Sequence, residues 1–147
     1  MTNRTAVLLA MLMLGPTASL ATSIDWVHDI PAGFAQAREA NKPILIDFWA
    51  SWCGPCRAMD AEFWSRQDVR RLAREFVMIR AESGGPNSVD YRRLSSRYGV
   101  KGLPTLVFAD PRGREIAKLS GFSAEQAELY RIMMEVVPEE LETTGDF

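Results

Sequence analysis

The stretch "DFWASWCGPCRAMD", residues 47–60, holds both cysteines of the chain, Cys53 and Cys56, with two residues between them. Just upstream, "PILIDFWA" (residues 43–50) is a near-continuous apolar run. Such a run reads as a strand buried on both faces, which places it near the centre of a parallel or mixed sheet. After the cysteines the apolar period changes: Met59 and Phe63 lie four apart, as on a helix face. A strand therefore delivers the chain to Trp52 and a helix opens at the cysteines, with Pro55 suited to its first turn.

Three readings of the pair compete. A structural staple two residues long closes too small a loop to restrain the unfolded chain much. A metal site needs about four ligands. The chain offers no other cysteine, and its one histidine, His28, lies far upstream in an expected strand. A two-thiolate copper(I) carrier is the weaker form of that alternative. Redox chemistry fits better. At a helix N-terminus, unpaired amides and the helix dipole favour a thiolate on Cys53, and Cys56 sits one turn inside, within bridging distance.

Outward from this segment, "IDWVHD" (24–29) reads as a short strand and "AGFAQAREA" (32–40) as a helix started near Pro31. Helix is expected on both sides of "SRQD" (65–68), strand over "EFVMIRAE" (75–82) and a loop over "SGGPNS" (83–88). "VDYRRLSSRYGV" (89–100) is an amphipathic helix capped at Gly99, and "TLVFA" and "EIAKLSG" are strands joined by the turn "DPRG" (110–113). "SAEQ" (123–126) is a capping box opening a last helix to about Val137. The order β-α-β-α-β-α-β-β-α predicts a three-layer α/β domain with a mixed sheet.

The 147 residues suit one domain, and 47% hydrophobic with 24% charged residues is ordinary for a globular chain. A net charge of −2 gives no electrostatic reason to expect nucleic acid. Arginines cluster at Arg70, Arg71 and Arg74 and at Arg92, Arg93 and Arg97, a pattern of solvated helix faces. The N-terminus carries Arg4, an apolar run over residues 6–14, then Gly15, Pro16 and the small-residue stretch "SLA". This pattern predicts a signal peptide over residues 1–21, cleaved after Ala21. The run is far short of the roughly 20 residues that span a bilayer, so a membrane tether is the minor alternative. Residues 22–137 are then the folded domain and 138–147 an acidic, frayed tail.

Several motifs now stand in order. "DFWASWCGPC", "YGVKGLPTLVF" (98–108) and "LSGF" (119–122) together resemble the thioredoxin superfamily, over about residues 25–137. Within it, "KPILIDF", "FWS", Asp60 and the longer loop before "VDYRRL" look more like the periplasmic C-terminal domain of the thiol:disulfide interchange protein DsbD. Ala61 stands where thioredoxin has a helix-kinking proline, and the "GP" between the cysteines is thioredoxin's dipeptide rather than that of the DsbD domain.

The resemblance implies a thioredoxin fold and a role for each site residue. Cys53 is the nucleophile, and Cys56 resolves the mixed disulfide. Asp47, in an apolar run where a carboxylate is costly, is a buried proton carrier for Cys56 with a raised pKa, or else a polar residue at a strand end, solvated or paired with Lys42 or Arg80. Asp60 is a second acidic influence on the thiols, or an exposed helix charge. Pro104 is expected cis beside the sulfurs, freeing the Leu103 backbone for an extended substrate, with a trans strand-start proline as the alternative. Trp52, Gly54, Pro55 and Gly121 complete the contact surface.

The expected function is that of a periplasmic disulfide reductant, monomeric and without cofactor or metal. It would draw electrons from a DsbD-type membrane donor and pass them to disulfide-bearing periplasmic proteins, apocytochrome c among the candidates. An oxidant or isomerase, a copper carrier and a chaperone-like module are the alternatives.

Overall fold

The computed structural model describes residues 23–144. The expected leader, residues 1–21, lies outside the described residues. The elements are α1 (Ile30–Ala40), β1 (Ile44–Trp49), α2 (Gly54–Glu62), α3 (Gln67–Leu72) running into a short 3₁₀ turn (Ala73–Glu75), β2 (Val77–Glu82), α4 (Ser88–Arg97), β3 (Thr105–Ala109), β4 (Glu115–Ser120) and α5 (Ala124–Thr144).

The sheet runs β2-β1-β3-β4. β1 pairs parallel with β2 and antiparallel with β3, and β3 pairs antiparallel with β4, so the sheet is mixed. Because side chains alternate along a strand, β1 feeds two cores. Ile44, Ile46 and Phe48 pack with Ile30, Phe34 and Ala37 of α1 and Leu94 of α4. Leu45 packs on the other face with Met59 and Phe63 from the α2 side and Tyr130, Met134 and Val137 of α5. This is the three-layer thioredoxin fold expected from the sequence, and Asp47 lies on the central strand of it, wholly buried.

Two expectations are corrected. "IDWVHD" forms no strand; it makes one parallel bridge, Val27 to Ile79. Asp29 ends the extended stretch by capping α1, its Oδ1 accepting from the Ala32 N–H at 2.9 Å. The last helix does not stop near Val137: α5 continues through Pro138 to Thr144. Proline removes one helix bond there, but Met134, Val137 and Leu141 keep one apolar face against the core across it. The "SAEQ" box is half made. Ser123 Oγ accepts from the Gln126 N–H at 3.2 Å, while the Gln126 side chain donates to Ser120 O at 2.6 Å instead.

The β3–β4 turn is held by Asp110, whose Oδ1 accepts from the N–H groups of Arg112 (2.8 Å) and Arg114 (2.9 Å). Gly113 sits there at φ 80°, a region other residues enter only with strain. A Cβ at this position would also lie 2.6 Å from the Phe34 ring. Gly113→Ala is expected to lose about 2–3 kcal/mol in thermal or urea unfolding, with the thiol reactivity of the reduced protein unchanged.

Candidate active site

β1 ends at Trp49, and the chain turns once to place Cys53 as the N-cap of α2. The capping atom is sulfur: the Cys56 N–H donates to Cys53 Sγ at 3.3 Å. Pro55 occupies the first turn, where a missing N–H costs nothing. The two cysteines form a disulfide, with Cα atoms 5.3 Å apart. Cys56 is wholly buried and Cys53 keeps 4% of its surface exposed, so attack from outside reaches Cys53. In the dithiol, the same amide and the helix dipole favour negative charge on Cys53 over Cys56.

Beside Cys53 runs a groove of about 540 Å³, lined by Trp52, Gly54, Pro55, Tyr91, Lys101 and Leu103 among others. Trp52 stands out on its rim, 71% exposed. Leu103 packs against Ala50, Cys53 and Cys56, and the Leu103–Pro104 peptide is cis. The neighbouring main chain is tied off from behind. Gly121 N–H donates to Pro104 O at 2.8 Å, and Thr105 Oγ1 to Gly102 O at 2.8 Å. Leu103's own amide and carbonyl take part in none of these bonds. Gly121, at φ 88°, is the turn that brings its N–H to Pro104.

Behind α2 lies a second group. Asp47 stands directly across the parallel β1–β2 pair from Arg80. Arg80 Nη2 donates to Asp47 Oδ2 at 3.0 Å and to Asp60 Oδ1 at 2.6 Å, and Nη1 reaches Asp60 Oδ2 at 3.4 Å. Trp49 Nε1 donates to the same Asp60 oxygen at 3.1 Å. One cation is thus shared by two carboxylates. Asp60 lies one helical turn beyond Cys56, which joins the cluster to the buried sulfur through α2. Burial pushes the Asp47 carboxyl up to about 6, with the charge on Asp60 adding to the rise and Arg80 opposing it. Asp47 Oδ1, Trp64 Nε1 and Arg80 Nε are buried without a hydrogen-bond partner among the described residues.

Asp47 is thus a buried carboxyl, and of the two partners considered for it the one found is Arg80. Lys42, the other partner considered, donates to Arg74 O at 2.9 Å. Asp60 is 33% exposed, yet ion-paired rather than merely solvated. Cys53, Trp52, Gly54, Pro55 and Leu103 line one groove, Cys56 is buried beneath Cys53, and Pro104 and Gly121 follow on the chain behind Leu103. Sequence reasoning missed the central place of Arg80, and of Trp26 and Trp64 beside it. A charged residue inside the apolar run "FVMIRA" was the available signal, on the same argument that singled out Asp47.

Comparison with known proteins agrees with this geometry. The thioredoxin-like family profile matches residues 25–111. The chain belongs to the thioredoxin-like family. This thioredoxin-like chain is 33% identical over 103 residues to the thiol:disulfide interchange protein DsbD of Cronobacter sakazakii, a match covering 69% of the chain and 17% of that relative. It thus spans about a sixth of the length of the DsbD proteins it resembles. Among solved structures, a thioredoxin from Thermus thermophilus superposes with a TM-score of 0.64 at 25% identity, covering 78% of this chain and 88% of that one. The reduced C-terminal domain of Neisseria meningitidis DsbD superposes at 0.58 and 22% identity, covering 71% and 90%. The thioredoxin-like relatives are thiol–disulfide oxidoreductases, and the paired cysteines are the matching redox centre. No helix among the described residues is long and apolar enough to cross a membrane.

The raised Asp47 carboxyl carries a stability consequence. The folded chain holds this proton up to about 6, whereas the unfolded value is 3.8. Stability is therefore lost as pH rises from about 4 through about 6, by about 2–3 kcal/mol in all. Asp47→Asn leaves Arg80 paired with Asp60. It is expected to unfold at higher denaturant than the parent above pH 6, with the advantage gone below pH 4.

Proposed function

We propose that the protein is an exported disulfide reductant that cycles Cys53 and Cys56 between dithiol and disulfide. The observation that carries the reading is the division of labour between the sulfurs: Cys53 caps a helix at the edge of an open groove, and Cys56 is enclosed behind it. A client peptide lies extended in the groove against the free Leu103 backbone, with Trp52, Gly54, Pro55 and Gly121 shaping the contact.

The cycle runs in two exchanges. The Cys53 thiolate attacks one sulfur of the client disulfide, forming a mixed disulfide and expelling the other client sulfur as a thiolate, which takes a proton. Cys56 then loses its proton toward Asp47 and attacks Cys53 Sγ. The second client sulfur leaves as a thiol, and the Cys53–Cys56 bridge closes. Two electrons pass to the client and the protein is oxidised. Asp47, holding its proton to about 6, can accept and return the Cys56 proton near neutral pH. Asp60 tunes it through the shared Arg80.

Gly54-Pro55 supports the reducing direction. No histidine lies between the cysteines to stabilise the thiolate and make the pair oxidising. The leader-like residues 1–21 support export to the periplasm. In that oxidising compartment a reductant needs a membrane electron donor, of which a DsbD-type protein is the natural kind. Disulfide-bearing proteins, apocytochrome c included, are the clients.

The trapping experiment tests this reading. Cys56→Ser is expected to accumulate client proteins linked through Cys53, released by dithiothreitol, while Cys53→Ser accumulates none. No adducts, together with no reduction of insulin by the parent protein, would overturn the reading. Asp47→Asn is expected to slow insulin reduction about ten- to a hundredfold at pH 7 and to remove the inflection near 6 from the pH–rate profile.

A further inference from the structure

The segment before α1 is not in regular structure, yet it is fixed. The Val27 N–H donates to Met78 O at 2.8 Å, and the Val27 carbonyl accepts from the Arg80 N–H at 3.0 Å. Asn87 Nδ2 donates to His28 O at 2.9 Å. These anchors place the Trp26 side chain on the α2 face of the sheet. Its ring stands edge-on to Trp64, centroids 5.1 Å apart. The Arg80 guanidinium carbon lies 4.2 Å from the Trp26 ring centroid and 5.2 Å from that of Trp49.

Arg80 needs such a hold. Its Nη2 serves both carboxylates, and the bond to Asp60 (2.6 Å) is shorter than the bond to Asp47 (3.0 Å). Asp60 is partly in water and Asp47 is not. An unrestrained guanidinium would therefore drift outward to Asp60, where its charge stays hydrated. An indole face against the cation opposes that drift and is worth more where water is excluded.

We propose that Trp26 is a positioning residue for the redox site: its indole holds the Arg80 cation between Asp47 and Asp60, and so sets the proton affinity of the carboxyl that serves Cys56. This rests on the reading of Asp47 as the proton carrier. The groups facing Asp47 are Arg80 from β2, Asp60 from α2, Tyr130 from α5 and the Trp64 indole just beyond α2. Arg80 alone among them carries positive charge. Its retreat therefore raises the Asp47 titration and cannot lower it.

The test follows the Asp47 carboxyl carbon by NMR against pH in the oxidised full chain, which needs no client. Trp26→Leu is expected to bind the Asp47 proton about tenfold more tightly than the parent. Trp26→Phe, which keeps an aromatic face, should titrate close to the parent. Equal titrations in all three, or a lowered one in the leucine variant, would overturn the proposal. Should the leucine variant not fold, the unmutated protein decides. The Arg80 Nε–H is expected to be shifted by ring currents and slow to exchange; an ordinary arginine shift with fast exchange would overturn it. Failure of the parent to reduce disulfides would instead count against the reductant reading, leaving the titration as it stands.

Discussion

One ion pair anchors the chemistry of this protein. Asp47 and Arg80 face each other across the parallel strands β1 and β2, in the most buried part of the fold. A carboxylate in that place is expensive, and a single cation shared with Asp60 offsets only part of the cost. The remainder appears as a carboxyl that keeps its proton to about 6. In the proposed reaction this group, on the strand that leads to the cysteines, takes and returns the Cys56 proton near neutral pH. A well-packed apolar residue would stabilise the core more and could do none of this.

α2 carries Cys56 and Asp60 one turn apart, so the buried sulfur and the second carboxylate share a helix face. The opposite end of the same turn presents Cys53 to the groove. β3 begins just after Pro104, and its partner β4 ends at Ser120, followed by Gly121, whose amide ties down the Pro104 carbonyl. The exposed Trp52 on the groove rim, the cysteines and the buried Asp47 thereby follow one another along one stretch of chain.

Much of this was legible in the chain. The buried strand before "CGPC", the helical period after it and "GLPT" farther on placed the sulfurs, the groove and the layer order. Asp47 was conspicuous because charge inside an apolar run demands a reason. What was not legible has physical causes. "IDWVHD" reads as a short strand, but Asp29 caps a helix two residues after Val27 and the pairing is one bridge. Pro138 argues for a helix end from local rules, whereas Leu141 still finds the core and carries the helix through. The shared use of Arg80 depends on strand register and on the reach of α2, neither of which a single strand's pattern contains. Trp26 looked like a strand residue and turned out to lie on a cation.

A disulfide reductant of the proposed kind needs Cys53 and Cys56 to form a reversible two-electron couple set for reduction. Equilibration with glutathione buffers of known ratio, followed by counting free thiols, measures this directly. The account predicts a single two-electron transition with a midpoint below about −230 mV, in the thioredoxin range rather than the DsbA range. A midpoint near about −120 mV, or a disulfide that does not equilibrate with the buffer at all, would contradict it.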